Sequence, residues 1–300
     1  RVGDLGAALV RIIEQELRDS AVFKKAFFEF QELCQETINP NIAQAAVVEM
    51  LVQHLLTERL FRTIFDNADF VRKNVIAQKL EEVVEVLTAR SFNRQAFLQG
   101  ADRFYRVIER NAATIHEYER KQAFLNVLYE KFFQGFAVKV ADTHGIVYTP
   151  QEIVSFMVES VDEILKTEFD KSLSSKGVHI LDPFVGTGNF MMRVMEQISP
   201  LKLEYKYLNE LHCNEVLLLP YYIASMNIEH AFYEKVGTYK PFEGVCLVDT
   251  FEIIEARQQS LKAFVPENAA RVKKQQEAPI FVIIGNPPYN VGQVNENDNN

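Results

Sequence analysis

Residues 279–290 read PIFVIIGNPPYN. Ile280, Phe281, Val282, Ile283 and Ile284 form a continuous apolar run between Pro279 and Gly285, the pattern of a parallel strand buried on both faces. Such a strand delivers Asn286, Pro287, Pro288 and Tyr289 to its carboxyl end, where open α/β sheets place their ligands. Asn286 offers an amide oxygen that accepts a hydrogen bond. Pro287 and Pro288 lack N–H groups and hold φ at about −65°, so the Pro287 carbonyl sits in a stiff turn outside the strand ladder. Tyr289 presents an aromatic face. Two acceptors beside a flat platform suit a planar ring that carries an amino group. The plainer alternative is a polar, proline-rich turn closing a buried strand.

A second stretch, residues 178–190, reads VHILDPFVGTGNF. A short apolar strand ends at Asp182, a turn holds Gly186 and Gly188, and a helix is expected to start near Asn189. Glycines permit positive φ and a close approach of backbone to ligand. The turn is akin to the glycine-rich βα turn of nucleotide-binding sheets, yet it is not GxGxxG and has no lysine for phosphate. It also carries a carboxylate, Asp182, where a diphosphate would need donors only. That excludes phosphate and suits a ligand with a cationic end, such as S-adenosylmethionine with its ammonium, sulfonium and adenosine. An acidic residue after the second strand would take the ribose hydroxyls, and Glu210 and Glu215 compete for that role. A purely structural turn is the alternative for the glycines alone.

Around these two stretches, short apolar runs alternate with helical segments, the mark of a parallel α/β sheet. Strands are expected near 178–181, 203–208, 245–248 and 280–284, with main helices at about 188–198 and 213–232. Residues 252–278 are charged and Gln-rich, as a helix plus a surface loop would be. Upstream, Thr149 stands at the cap of a helix, Pro150 in its first turn and Glu152 close behind.

Residues 1 to about 140 read as helical throughout. Leu5, Leu9, Ile12, Ile13 and Leu17 recur at helical spacing, as do Phe23, Phe27, Phe30 and Leu33. Asn39, Pro40 and Asn41 break the pattern, which resumes from Ile42 to Phe65. Asn67 or Asp69 is a candidate cap for the next helix, with Val75, Leu80, Val83, Val84 and Leu87 inward. Residues 94–136 carry Phe97, Tyr105, Ile108, Ile115, Phe124, Leu128, Phe132 and Phe133, an abundance that reads as bundle core. No basic recognition helix is present, because Lys and Arg are matched by Asp and Glu on the same segments.

Composition narrows the classes further. The 300 residues are 48% hydrophobic and 24% charged, the balance of an ordinary globular protein. No apolar run reaches the roughly 18 residues of a membrane span, and the charged first turns are unlike a signal peptide. Cys34, Cys213 and Cys246 lie far apart without a CxxC pair. They read as buried thiols in a reducing compartment, and the scattered histidines give no metal site. A formal charge of −9 argues against DNA binding across the whole surface, so any such contact is local or made by other parts of the protein. Arg1 in place of an initiator Met is expected of a piece of a longer polypeptide.

DPFVGTGNF followed about a hundred positions later by NPPY resembles the S-adenosylmethionine-dependent amino-methyltransferases, in particular the DNA adenine-N6 methyltransferases. Tyr148, Thr149 and Pro150 precede the glycine loop, as in the subgroup whose cofactor-methionine motif comes first. Release-factor glutamine methyltransferases share NPPY but usually lack the Asp-Pro start, and cytosine-N4 enzymes usually have Ser or Asp in place of Asn286. The stretches HCNEVLLLPYYIASMNIE (212–229) and GQVNENDNN (292–300) are similar to single-chain type ISP restriction-modification enzymes.

That resemblance implies a Rossmann-like α/β methyltransferase sheet over residues 141–300, incomplete beyond NPPY, preceded by an all-α, coupler-like domain over residues 1–140. It implies methyl transfer from S-adenosylmethionine to N6 of a flipped adenine in double-stranded DNA, in a bacterial cytoplasm. Helicase, nuclease and target-recognition domains would lie on the same polypeptide, although no helicase or nuclease motif occurs here. Tyr148, Thr149 and Pro150 would line the methionine end of the cofactor. Asp182, Pro183 and the backbone of Gly186, Gly188 and Asn189 would hold its amine and carboxylate region. Glu215, twelve residues before Asn227, would bind the ribose, with Glu210 as the fallback. Asp249, followed by Thr250, would accept from the cofactor's adenine amine. Asn286 and Pro287 would hold the target amine in the turn that Pro288 stiffens, and Tyr289 would stack on the flipped base. The rivals are a protein glutamine or RNA methyltransferase and a non-catalytic coupler scaffold. A methyltransferase without its recognition domain can bind cofactor and still fail on DNA.

Overall fold

The computed structural model describes residues 2–64, 74–89, 93–99, 102–115, 124, 149–254 and 266–288. Its first part is helical: α1 (Val2–Asp19), α2 (Ala21–Thr37), α3 (Gln44–Ile64), α4 (Val75–Thr88), α5 (Arg94–Gln99) and α6 (Asp102–Ala113). Leu9, Ile13, Leu17, Phe23, Phe27, Phe30 and Leu33 are all buried, as their spacing predicts. The Ser20 hydroxyl accepts the Phe23 N–H and caps α2. Asn67 and Asp69 lie outside the described residues. The helix that carries Val75 to Leu87 is capped instead by Asn74, whose Oδ1 accepts from the N–H groups of Ile76 and Ala77 at 3.1 and 3.0 Å. Of the expected helix over 94–136, residues beyond 115 are outside the description except Phe124.

The second part comprises α7 (Gln151–Phe169), β1 (His179–Asp182), α8 (Asn189–Gln197), α9 (Pro200–Asn209), β2 (Leu211–Glu215), α10 (Leu218–Val236), β3 (Val245–Leu247), a 3₁₀ turn (Glu252–Ile254), α11 (Pro266–Glu277) and β4 (Ile280–Ile283). All pairings are parallel and the strand order is β3-β2-β1-β4. Successive strands step outward from β1 through β2 to β3, and the chain then returns to the other side of β1. The loops after β1 and β4 therefore diverge at a topological switch point, where open α/β sheets form their ligand crevice.

Four local expectations are corrected. Residues 203–208 are not a strand but part of α9. The alternation of Leu203, Tyr205 and Tyr207 mimics period two, yet Leu203, Lys206 and Tyr207 are buried along one helical face while Tyr205 is exposed. The second strand is residues 211–215, all five buried, so the helix expected from 213 starts at Leu218. β4 is buried on one face only: Val282 and Ile284 are inside, while Phe281 and Ile283, which point to the other face, are 41% and 69% exposed. Thr149 does not cap α7. Pro150 occupies the cap position without a side-chain bond.

The two parts share one core. A single cluster of buried side chains runs from Leu9 to Ile284. Where α3 meets α10, Phe61 packs edge-on against Tyr222 at 5.8 Å. His54, fully buried, lies 3.1 Å from the Tyr222 hydroxyl through Nδ1 and 2.8 Å from Glu81 through Nε2. Arg94 bridges Glu81 and Glu58. The two ring nitrogens of His54 thus link the Tyr222 hydroxyl to the Glu81 carboxylate. Cys34, Cys213 and Cys246 are all buried, free thiols, and no helix of the described residues is long and apolar enough to cross a membrane.

Tyr222→Phe removes the hydroxyl facing His54 Nδ1 and is expected to cost about 1–2 kcal/mol, read by urea denaturation. Burial raises the Glu81 carboxyl, but the His54 bond and Arg94 outweigh it and hold it at about 2 against a usual 4.5. Its contribution to stability should therefore be full above about pH 4.5 and lost as pH falls towards 2. Glu81→Gln should flatten that part of the pH–stability curve.

Candidate active site

The site is built where the carboxyl ends of β1, β2, β3 and β4 converge. Asp182 closes β1 and is completely buried. Its Oδ1 accepts the Phe184 N–H at 3.0 Å, while Oδ2 has no partner among the described residues. Burial pushes this carboxyl up to about 7; the Phe184 N–H opposes the shift and the neighbouring Glu215 adds to it. Glu215, at the end of β2, accepts from Leu217 N–H at 2.8 Å and from Gly186 N–H at 3.0 Å. Burial raises it to about 7 as well, against those backbone donors. The second bond ties the loop after β1 to the loop after β2.

Backbone conformation explains the small residues. Gly186 and Gly188 have φ of 56° and 96°, in the left-handed region that favours glycine. Gly188 packs closely against α10: a Cβ there would meet Ile228 and Ala224 at 3.4 and 3.5 Å, ordinary contact distances, so the backbone angle and not space calls for glycine. Asn189 opens α8 and is buried. From the other side of the crevice, Gly285 approaches so closely that a Cβ there would lie 2.5 Å from Asp182 Oδ1. The loops after β1 and β4 thus meet at one carboxylate.

The end of β3 is stitched into the same place. Thr250 donates its hydroxyl to the Pro183 carbonyl at 2.6 Å and accepts from Asn214 Nδ2 at 3.1 Å. Asp249 Oδ1 accepts the Phe251 N–H at 3.0 Å, and Oδ2 accepts from Asn39 Nδ2 at 2.9 Å. Phe251, 64% exposed, packs against Phe184 at 5.4 Å. Asn227 on α10 donates to the Thr187 carbonyl at 2.9 Å and fixes the crest of the glycine turn.

Asn286 lies beyond β4, and its Nδ2 donates to Thr149 Oγ1 at 3.1 Å. The pairing brings two motifs 137 positions apart into direct contact. It uses one of the amide's two N–H donors and turns Oδ1 away from Thr149, as an acceptor for another group. Pro287 and Pro288 follow and are exposed. Tyr148 and Tyr289 fall outside the described residues.

The structure thus gathers Thr149, Pro150, Asp182, Pro183, Gly186, Gly188, Asn189, Glu215, Asp249, Thr250 and Asn286 at one end of the sheet. Glu210 is not among them. It sits at the opposite end of β2, held by Lys206 at 2.7 Å and by the Gly177 N–H at 2.8 Å. Three contributors escaped the sequence reading. Asn214 fell within an expected helix, Gly285 was only a strand boundary, and Asn39 only a helix breaker.

Comparison with known proteins agrees with this geometry. Residues 1–120 match the coupler domain of type ISP restriction-modification enzymes, and residues 120–300 match the N-6 DNA methylase family. Among solved structures, the DrdV–DNA complex is 40% identical with a TM-score of 0.87, covering 99% of this chain and 29% of its own. A nuclease-deletion mutant of the type ISP enzyme LlaGI in complex with a DNA substrate mimic is 39% identical with a TM-score of 0.87, covering 99% and 24%. The ATP-dependent type ISP enzyme LlaBIII bound to DNA is 38% identical with a TM-score of 0.88, covering 98% and 21%. The chain therefore spans less than a third of each of these proteins. No curated protein matches it.

Gly285→Ala tests the close approach of the two loops. The added methyl group, 2.5 Å from a buried carboxylate oxygen, should cost about 1–3 kcal/mol. Denaturant titration measures the loss, and unchanged stability would mean that the loops do not meet there.

Proposed function

The chain belongs to the N-6 DNA methylase family and carries a type ISP coupler ahead of the methylase region; from that membership we propose that it methylates N6 of adenine in DNA, as part of a type ISP restriction-modification enzyme. The family uses a methyl donor, and we take it to be S-adenosylmethionine. The donor set fits. A buried carboxylate oxygen of Asp182 without a partner among the described residues suits an ammonium, Glu215 suits ribose hydroxyls, and the loop offers no lysine to a phosphate. When bound, this group supplies an electrophilic methyl on a sulfonium. Residues 1 to about 140 act as the coupler together with the helical start of the methylase, and DNA is the macromolecular partner.

The observation that carries the reading is the bond from Asn286 Nδ2 to Thr149 Oγ1. It orients the amide so that Asn286 Oδ1 accepts one N–H of the target amine, and the Pro287 carbonyl takes the other. An adenine amine is a poor nucleophile because its lone pair is delocalised into the ring. Accepting both N–H groups favours tetrahedral geometry and aims the lone pair out of the ring plane, which is catalysis by orientation and electrostatics. The methylated amine then loses its extra proton to solvent, with no dedicated general base. Adenine must leave the duplex stack to be reached, at a few kcal/mol. Stacking on Tyr289 offsets about 1–3 kcal/mol of that by analogy with single-strand binders.

The full polypeptide incubated with tritiated methyl donor and DNA, RNA or protein should label DNA alone. Label on protein or RNA, or cofactor binding without transfer to any of them, would overturn the assignment. Asn286→Ala should abolish transfer while calorimetry shows near-normal cofactor affinity. Asp182→Ala should lose cofactor binding. Because Asp182 and Glu215 both sit near 7, a ligand that needs them ionised must displace protons. Its affinity should rise with pH to about 8 and then level off. Titrations in buffers of different ionisation heat should register proton release at pH 6.5 and almost none at pH 8.5.

A further inference from the structure

The helical region reaches the carboxyl end of β3 through the connection between α2 and α3. The Ile38 carbonyl, at the end of α2, accepts the Asp249 N–H at 2.9 Å. The next residue, Asn39, donates from Nδ2 to Asp249 Oδ2 at 2.9 Å and accepts the Asn41 N–H on Oδ1 at 2.7 Å. These two bonds fix the amide from both ends. Flipping it would set its oxygen against a carboxylate and its NH2 against an N–H. The Asp249 side chain is thus oriented by Asn39 on one oxygen and by the Phe251 N–H on the other, while its backbone is pinned by Ile38. A carboxylate oxygen accepts more than one hydrogen bond, so this carboxylate remains able to take a further N–H donor.

We propose that Asn39 is a positioning residue for methyl-donor binding: the α2–α3 turn of the coupler forms part of the wall at the adenine end of the cofactor pocket and aims Asp249 at the adenine amine. The inference rests on the reading of Asp249 as the acceptor for that amine. It makes the coupler part of the cofactor site and not merely a neighbour of it. By linkage, occupancy of the pocket then steadies the α2–α3 turn, and anything that shifts this turn changes cofactor affinity by the same factor.

The test compares two ligands in calorimetric titrations of the full polypeptide: S-adenosylhomocysteine, and its inosine counterpart, which carries an oxygen in place of the amine. The wild type should prefer the adenosine form at least about tenfold. Asn39→Ala should lower that preference about three- to tenfold, the size of one lost hydrogen bond. Asn39→Asp, which sets a like charge against Asp249, should lower it further. Asn39→Ser keeps the turn chemistry but is too short to hold Asp249, and should behave as Asn39→Ala does if the latter folds poorly. Asn41→Ala, which alters an exposed side chain of the same turn, should match the wild type. If the wild type does not distinguish the two ligands, Asp249 does not read the amine, and the underlying assignment falls with the proposal. If the wild type distinguishes them and Asn39→Ala or Asn39→Ser keeps the full ratio, the proposal alone is overturned. Equal weakening of both ligands would also overturn it, because that is the signature of a merely structural tie.

Discussion

At the carboxyl end of this sheet, the surroundings are arranged around a carboxylate that water does not reach. Asp182 has one oxygen held by the Phe184 N–H and the other without a partner among the described residues. An ionised carboxylate in such a place is costly, so the group is driven towards its neutral form. The neighbours answer that cost structurally. Gly285 has no side chain because there is no room for one beside Oδ1. Gly186 turns its N–H to Glu215, a second buried carboxylate with a similar upward shift. Two poorly solvated acids side by side favour a cationic ligand, and they disfavour the phosphates that glycine-rich turns of this general shape hold elsewhere.

The remaining loops depend on that centre. Thr250 bridges Pro183 and Asn214 and brings the end of β3 to the carboxylate's loop. Asn227 clamps the crest of the glycine turn from α10. Thr149 joins the strand-end tetrad from outside the sheet. On the proposed reading this gives each end of the ligand its own support: Asp182 for the methionine portion, Glu215 for the ribose and Asp249 for the base. On the same reading, the overall charge of −9 leaves DNA contact to local surfaces or to other parts of the polypeptide.

What the sequence made legible, and what it hid, follows from where each residue's partner lies. β1, β3 and β4 announced themselves as apolar runs, and the helical bundle as a 3–4 repeat of large side chains. β2 did not, because His212, Asn214 and Glu215 are buried polar residues whose partners come from other segments. The alternating KLEYKY just before it imitated the missing strand. The single-sided burial of β4 was equally out of reach, since exposure of a face depends on what packs over the sheet there and not on the strand's own residues. Thr149 next to Pro150 carries the local signature of a helix cap. Its hydroxyl instead meets Asn286 once the loop after β4 is in place. Asn39 is 210 residues from Asp249, and nothing in an Asn-Pro-Asn break distinguishes a contact from a turn.

The helical region and the sheet are joined in two physically different ways. At the contact of α3 with α10 the joint is buried, and His54, Tyr222 and Glu81 must stay paired for the core to close. That joint resists separation, and it rests on α10, the same helix whose Asn227 holds the crest of the glycine turn. At the α2–α3 turn the joint is half exposed and consists of hydrogen bonds to Asp249, which can be strained without opening the core. A motion of the helical region small enough to leave the buried joint intact would therefore be felt first at Asp249. On the proposed reading, rigid packing at one joint and polar, adjustable contact at the other let the coupler alter the cofactor site without unfolding it.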